Sequence, residues 1–267
     1  MSNMKIYNEL SKENKPILIQ GAMESEICHL SSHLENPRKE ERFGYSFYIG
    51  SYKKHTIIIQ KTLQGMTNAA ASTMLAIEHY SPALVINQGI CGGHSPALHR
   101  GDILLGQDIM NYSNLKIEMT ASANPLEGCH IIGCEIYPSD KSADVVTDPE
   151  TGASKITLFH SDPNLLKIAN ACPHPSENGK ILIGKIASAD AWLDRKDLIA
   201  LMHEKFGTCG EDMETASVAQ LCHLFNIPFL SVRMLSNTRV HDEEYDETVA
   251  SLLQEYTWNV VERILNN

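Results

Sequence analysis

The sequence predicts an α/β fold: a single domain of three layers, with a central mixed, mostly parallel sheet flanked by helices on both faces. Three observations carry this. Apolar runs of strand length at 17–20, 83–86, 103–105, 181–183 and 227–235 alternate with stretches of helical spacing. The 267 residues, 43% hydrophobic and 21% charged, are enough to bury one full core, and no internal repeat or low-complexity linker divides them. Val249, Leu252, Leu253, Tyr256, Val260, Val261 and Ile264 fall at helical spacing and mark one long amphipathic helix at the C-terminus.

The elements follow in order. Ile17-Leu18-Ile19-Gln20 is a short buried strand ending at Gly21, and the segment after it enters a helix carrying Ile27, Leu30 and Leu34 on one face. Residues 45–49 and 56–59 form a hairpin that turns through Gly50-Ser51. The alanine-rich run 68–80 is a tightly packed helix, stopped by Pro82 before strand 83–86, which opens into Gln88-Gly89-Ile90-Cys91-Gly92-Gly93 as a loop. Strand 181–183 continues into Ser188-Ala189-Asp190-Ala191-Trp192. Between residues 111 and 180 the chain is polar and divided by prolines at 138, 149, 163, 173 and 175 as well as 125, so it reads as an enlarged connection of loops around one helix near 164–171. Gly210-Glu211-Asp212-Met213-Glu214 places a buried-looking acidic pair at the start of a helix that leads into strand 227–235 and then Ser236-Asn237. Residues 1–15 are an N-terminal extension to the 1–267 domain.

Composition excludes several partners. A net charge of -11 and a pI near 5.5 leave no positive footprint for nucleic acid. No apolar run approaches the roughly 20 residues that span a bilayer, and the first residues lack a secretion signal's apolar block, so no membrane partner and a cytoplasmic location are expected. The seven cysteines contain no Cys-x-x-Cys pair, so neither a disulfide framework nor a zinc site is indicated. No Gly-x-Gly-x-x-Gly turn follows the first strand, which excludes a dinucleotide-binding dehydrogenase.

In a mostly parallel sheet ligands gather beyond the strand C-termini, where the loops 21–26, 88–93, 188–193 and 233–237 should meet. Together with Gly101-Asp102-Ile103 and Asp212-Met213-Glu214-Thr215-Ala216, these loops resemble the nucleoside phosphorylase/nucleosidase superfamily, most closely the 5′-methylthioadenosine/S-adenosylhomocysteine nucleosidases. The resemblance covers most of the chain, with 111–180 matching poorly. It implies a phosphorylase/hydrolase-like fold, a purine nucleoside substrate, water as nucleophile, no metal or organic cofactor, and a homodimer in which the 65–80 region and the neighbour's 111–120 loop help close the 5′ pocket.

It also implies roles. Glu26 matches the glutamate that activates water, and Arg233 an arginine that orients Glu26 and the water. Glu214 matches the carboxylate that accepts from the sugar hydroxyls, with Met213 against the sugar. Trp192 matches the aromatic that stacks on the purine, the backbone of Leu193 the group that hydrogen-bonds the base edge, and Tyr245 the aromatic that closes over the 5′ group. Met23, Ile90, Cys91, Gly92, Asp212 and Ser236 complete the implied substrate-binding set. Taken without the resemblance, Glu26 is a solvated first-turn glutamate, Glu214 caps its own helix, Met213 and Trp192 fill the core, and Arg233 forms a buried ion pair. These alternatives stand open at this point.

The pattern breaks at Asn237, where the family has an aspartate that protonates purine N7, and at Ile90, where nucleosidases carry a serine. An amide can donate a hydrogen bond but has no proton to give at neutral pH. Three accounts compete: a 6-oxopurine substrate whose N7 and O6 an asparagine can bridge, another acid such as Asp194 or Asp242, or a nucleoside-binding protein without turnover. The leading expectation is a nucleosidase that is slow or shifted in base preference. Between Gln20 and Leu34 there is no arginine or lysine to hold phosphate, although Lys61 and Arg42 could reach an anion.

Overall fold

The computed structural model describes residues 15–118, 124, 126–135, 145–147 and 152–266, so the expected N-terminal extension lies outside the described residues apart from Lys15. In chain order the elements are β1 (Ile17–Gly21), α1 (Glu24–Ile27), a 3-10 turn (Leu30–His33), β2 (Glu35–Arg42), β3 (Tyr45–Tyr52), β4 (His55–Lys61), α2 (Met66–Tyr80), β5 (Leu84–Gly93) and β6 (Ile103–Asn111). There follow β7 (Leu115–Ile117), β8 (Cys129–Ile131), β9 (Cys134–Glu135), β10 (Val145–Thr147), β11 (Ser154–Ile156), β12 (Phe159–His160) and α3 (Pro163–Asn170). The chain ends with β13 (Ile181–Ser188), α4 (Lys196–Phe206), β14 (Thr208–Asp212), α5 (Thr215–Leu224), β15 (Phe229–Asn237) and α6 (Val249–Leu265).

Ten strands form one mixed sheet in the order β12-β6-β13-β14-β5-β1-β4-β3-β2, with β15 pairing both β5 and β6. The strands β5, β15, β6, β13 and β14 thereby close into a ring. Cys91, Leu104, Ile186 and Leu235, one from each of four ring strands, pack together inside it. The sheet is mixed, as expected. Half of its ten described pairings are parallel, because β2, β3 and β4 fold as consecutive hairpins and β12, β14 and β15 each meet a neighbour head to tail.

Helices cover both faces. One apolar cluster joins β1, β5 and β15 to α1, α3 and α6; another joins the opposite face to α2 and α5. All five residues of β1 are buried, which is why its apolar run is continuous rather than alternating. Each fully buried Ile or Leu there is worth about 1.5–3 kcal/mol of transfer free energy. Its one polar side chain, Gln20, donates through Nε2 to Gln60 Oε1 (2.7 Å) and Thr73 Oγ1 (2.8 Å), while its buried Oε1 meets no partner among the described residues.

Several sequence expectations shift. Ile27, Leu30 and Leu34 are buried together as expected, but on a four-residue helix, a separate 3-10 turn and the extended residue that follows it. The hairpin turn lies at Lys53-Lys54, both with positive φ (48° and 69°), so Gly50 and Ser51 belong to β3. Residues 88–93 are not a loop: they continue β5, with Gly92 and Gly93 letting β14 and β15 approach. Residues 208–212 are strand β14 rather than a helix start, and α5 begins at Thr215. The edge strand β2 was invisible to an apolar pattern because nearly all of it is charged and exposed. Helix α4 buries only Ile199 and Met202, too thin a stripe to register. Within 111–180 the expected helix is α3, capped by Asp162, whose Oδ1 accepts from the backbone of Asn164 and Leu165; short strands rather than loops alone surround it.

Candidate active site

A solvent-open cleft of about 560 Å³ lies beyond the C-terminal ends of β1, β5, β14 and β15. All four segments expected to meet do so. Met23 and Glu26 come from the first, Ile90, Cys91 and Gly92 from β5, Trp192 from the loop after β13, and Ser236 and Asn237 from the end of β15. Asp212, Met213 and Glu214 line the floor, and Tyr245 lines the mouth. Gln64 and Glu211 line it too; neither was singled out as a site residue.

Glu26 is 3% exposed, so it is not a solvated first-turn residue. Its Oε2 accepts from the backbone of Ala22 (2.7 Å) and Met23 (3.0 Å), and its Oε1 from Ile90 N (2.8 Å). The chain's return onto Met23 N is half of a capping box, and the bond from Ile90 ties the short helix to β5. Burial raises the Glu26 pKa; the three backbone donors and the Arg233 charge oppose the rise without cancelling it. The result is a carboxylate more basic than usual, fixed in one orientation.

Glu214 stands at the N-cap position of α5, yet it does not cap that helix. Asp212 Oδ1 does, accepting from Glu214 N (3.3 Å) and Thr215 N (3.2 Å). The Glu214 Oε1 instead accepts from Gly65 N (2.8 Å), where a φ of 97° starts α2. Burial and the neighbouring Asp212 charge push its pKa up to about 8. Because the folded state then holds a proton that the unfolded chain releases near 4.5, folding stability from this group is present below pH 4.5 and is lost as pH rises toward 8. Glu214→Gln removes that loss, and melting curves from pH 5 to 9 should show the variant gaining on wild type with rising pH. Parallel curves would exclude a raised pKa.

Arg233 is 1% exposed and does not line the cleft. Its Nε donates to Asp212 Oδ2 (2.6 Å), one terminal nitrogen to the carbonyls of Asn87 and Val232 (2.9 Å each), and the other to Asn87 Oδ1 and Thr215 Oγ1 (2.5 Å each). All five N–H groups are therefore used. Of the two readings left open for Arg233, the structure shows the buried ion pair: it holds Asp212, and its charge acts on Glu26.

The other end of the cleft is built for a flat ring. Trp192 is 59% exposed, so it is not core filler; its ring lies 5.4 Å from that of Tyr245 at the mouth. Ser236 Oγ donates toward Asn237 Oδ1 (2.8 Å) and lies 3.1 Å from the Cys91 carbonyl. Leu193 does not line the cleft, and its N–H donates to Glu211 Oε1 (2.9 Å). Asp194 and Asp242 are not the missing acid: both are exposed and paired, with Arg239 and Lys196 respectively, away from the cleft. The acidic group that does line this end is Glu211.

No Lys, Arg or His lines the cleft among the described residues, while four carboxylates do. Lys61 is engaged by Glu24 (3.1 Å) and Arg42 by Glu40 (3.1 Å).

A family model described as the phosphorylase superfamily matches residues 16–266. A 5′-methylthioadenosine/S-adenosylhomocysteine nucleosidase of Bacillus cytotoxicus is 30% identical over 222 residues, 83% of this chain and 85% of that protein. Among solved structures, the nucleosidase of the same name from Colwellia psychrerythraea in complex with adenine superposes with a TM-score of 0.73 at 24% identity, covering 94% of this chain and 96% of the other. Futalosine hydrolase of Helicobacter pylori gives 0.73 at 21% identity, covering 94% and 99%. At these identities the structures establish the likeness of fold.

Proposed function

Because this chain belongs to the phosphorylase superfamily, we propose that it hydrolyses the N-glycosidic bond of a purine nucleoside with a modified 5′ position, of the methylthioadenosine/S-adenosylhomocysteine type. The observation that carries the reading is the convergence of Glu26 and Glu214, 3% and 9% exposed, on one cleft beside an exposed indole. Glu26 takes a proton from water as its oxygen attacks C1′. The C1′–N9 bond breaks with its electron pair leaving on the base, and the anionic cleft favours the positive charge that develops on the sugar. Glu214, with one oxygen held by Gly65, offers the other to the sugar hydroxyls. Met23 and Met213 supply apolar walls.

Water rather than phosphate is the nucleophile in this reading, because no cation lines the cleft among the described residues to hold an anion. Base release from methylthioadenosine, S-adenosylhomocysteine, inosine and adenosine, measured with and without phosphate, tests it. Release that requires phosphate, or no release from any of the four, sinks the proposal. The homodimer also stays a proposal, supported by exposed Ile117 in the 111–120 segment and exposed Leu63 just before the 65–80 region, and so does a cytoplasmic location; no helix among the described residues is long and apolar enough to cross a membrane.

Gly89 gives a sharper test of Glu26. A Cβ at position 89 would stand 2.8 Å from Glu26 Oε1, so Gly89→Ala must displace the carboxylate while the rest of the strand keeps its packing. Turnover should fall about 10²-fold with little change in melting temperature, as expected for a small misplacement of a reacting group. Unchanged turnover would detach Glu26 from the chemistry.

A further inference from the structure

The geometry points to two buried glutamines, Gln254 on α6 and Gln88 on β5, as the residues that position Glu26; this rests on the nucleoside-cleaving reading above, in which Glu26 takes a proton from water. The need for them is local. Glu26 sits on a helix of four residues, far too short to hold itself together in water, and its N-cap residue, Met23, has no side-chain oxygen to cap it. Past Ile27 the helical ladder breaks. In a continuous helix His29 N and Leu30 N would return to the carbonyls of Ser25 and Glu26. Here both donate to Gln254 Oε1 instead, at 2.8 and 3.3 Å.

The two carbonyls left over are taken from different elements. Gln254 Nε2 donates to Ser25 O (2.8 Å) and to Ala250 O (3.1 Å) on its own helix, so a single amide bridges the broken Ser25–His29 pair from 225 to 229 residues away. Gln88 Nε2 donates to Glu26 O (2.7 Å). Both glutamines are 1% exposed, and neither lines the cleft. Gly21 makes room for this packing: a Cβ there would stand 2.7 Å from Ile27 Cγ2, 2.8 Å from Gln88 Nε2 and 3.0 Å from Glu26 Cβ. The backbone under Glu26 is thus held by α6 and β5, while its carboxylate is held by Ala22, Met23 and Ile90.

Stability alone gives a poor account of these amides. A buried amide costs free energy wherever one of its polar atoms goes unpaired, and Gln88 Oε1 meets no partner among the described residues. An apolar side chain at 88 would avoid that cost but lose the bond to Glu26 O. Position explains what packing does not. A general base must stay within hydrogen-bond reach of its water, and burial works against the charged form of Glu26, so an unbraced α1 would let the carboxylate drift toward solvent.

Gln254→Met and Gln88→Met replace each amide by an unbranched side chain of similar length. Single-turnover base release should fall about 10- to 100-fold in each, as for a reacting group displaced by up to roughly 1 Å, while nucleoside affinity changes little. The ascending pH limb of kcat should move down toward the ordinary carboxylate range, because a carboxylate that slips from its site gains water; lost packing alone would leave the limb in place. In a Glu26→Gln background neither substitution should cost anything further, since both act through a carboxylate already gone. Losses that add in that background, or wild-type turnover in both folded variants, overturn the assignment and leave Glu26 in the mechanism. If Glu26→Gln by itself loses no rate, the role of Glu26 falls and this inference with it. Gln254→Met strands Ser25 O, His29 N and Leu30 N. Should it fail to fold, Gln88→Met, which gives up one bond and removes an unpaired oxygen, decides the matter by the same readouts.

Discussion

Glu26→Gln is expected to lower the rate of base release about 10²–10⁴-fold while nucleoside affinity changes little, the range typical of a lost general base. The amide keeps the size and the ability to accept from Ala22, Met23 or Ile90, but it cannot take a proton from water. Local burial makes the group's contribution dependent on protonation: its pKa is raised, so wild-type kcat should climb with pH through a limb displaced above the usual carboxylate range. In the variant that limb should vanish. Single-turnover rates over pH 4–9, with binding measured separately, are the check. A Glu26→Gln enzyme that retains both the rate and the limb would remove Glu26 from the mechanism and return it to a purely structural tie between α1 and β5.

Asn237→Asp is the second large effect, and its sign is opposite. The asparagine is 6% exposed at the end of β15 and already accepts from Ser236, so an aspartate fits the same space and keeps that bond. Burial beside the Glu211 carboxylate favours its protonated form, and a protonated aspartate can transfer to N7 what the amide only shares. Adenine release from methylthioadenosine should rise about 10²–10⁴-fold, with a new descending limb as the acid ionises at higher pH. No gain at any pH would mean that proton delivery to the base is not what limits the adenine nucleoside. A variant that binds the nucleoside tightly and still turns nothing over would point to a binding protein.

The two expectations rest on differently legible parts of the chain. The continuous apolar runs and the helical stripe at residues 249–264 made the α/β layering readable, because burial on both faces of a central strand leaves a local signature. Strands β2 and β14 left none: one is an exposed charged edge, and the other is a buried strand of Thr, Cys, Gly, Glu and Asp whose polar side chains answer to the site rather than to the core. In the cleft, Glu26, Glu214, Trp192 and Asn237 were identifiable only through the family resemblance of their motifs, and the structure gathers them. The hydrogen-bond partners of Arg233 and of Leu193 N–H were not readable, since they lie away in sequence: Asn87 is 146 residues from Arg233, and Glu211 is 18 from Leu193.

The sequence by itself determined which residue types are present at each strand end, and so the kind of chemistry on offer, because motif and periodicity are local properties. Only the tertiary structure decided which donors are already taken. The closing of β5, β15, β6, β13 and β14 into a ring brings Glu211 beside Asn237 and buries Arg233 beneath them. Hydrogen-bond satisfaction is a property of the assembled neighbourhood, and no single segment carries it.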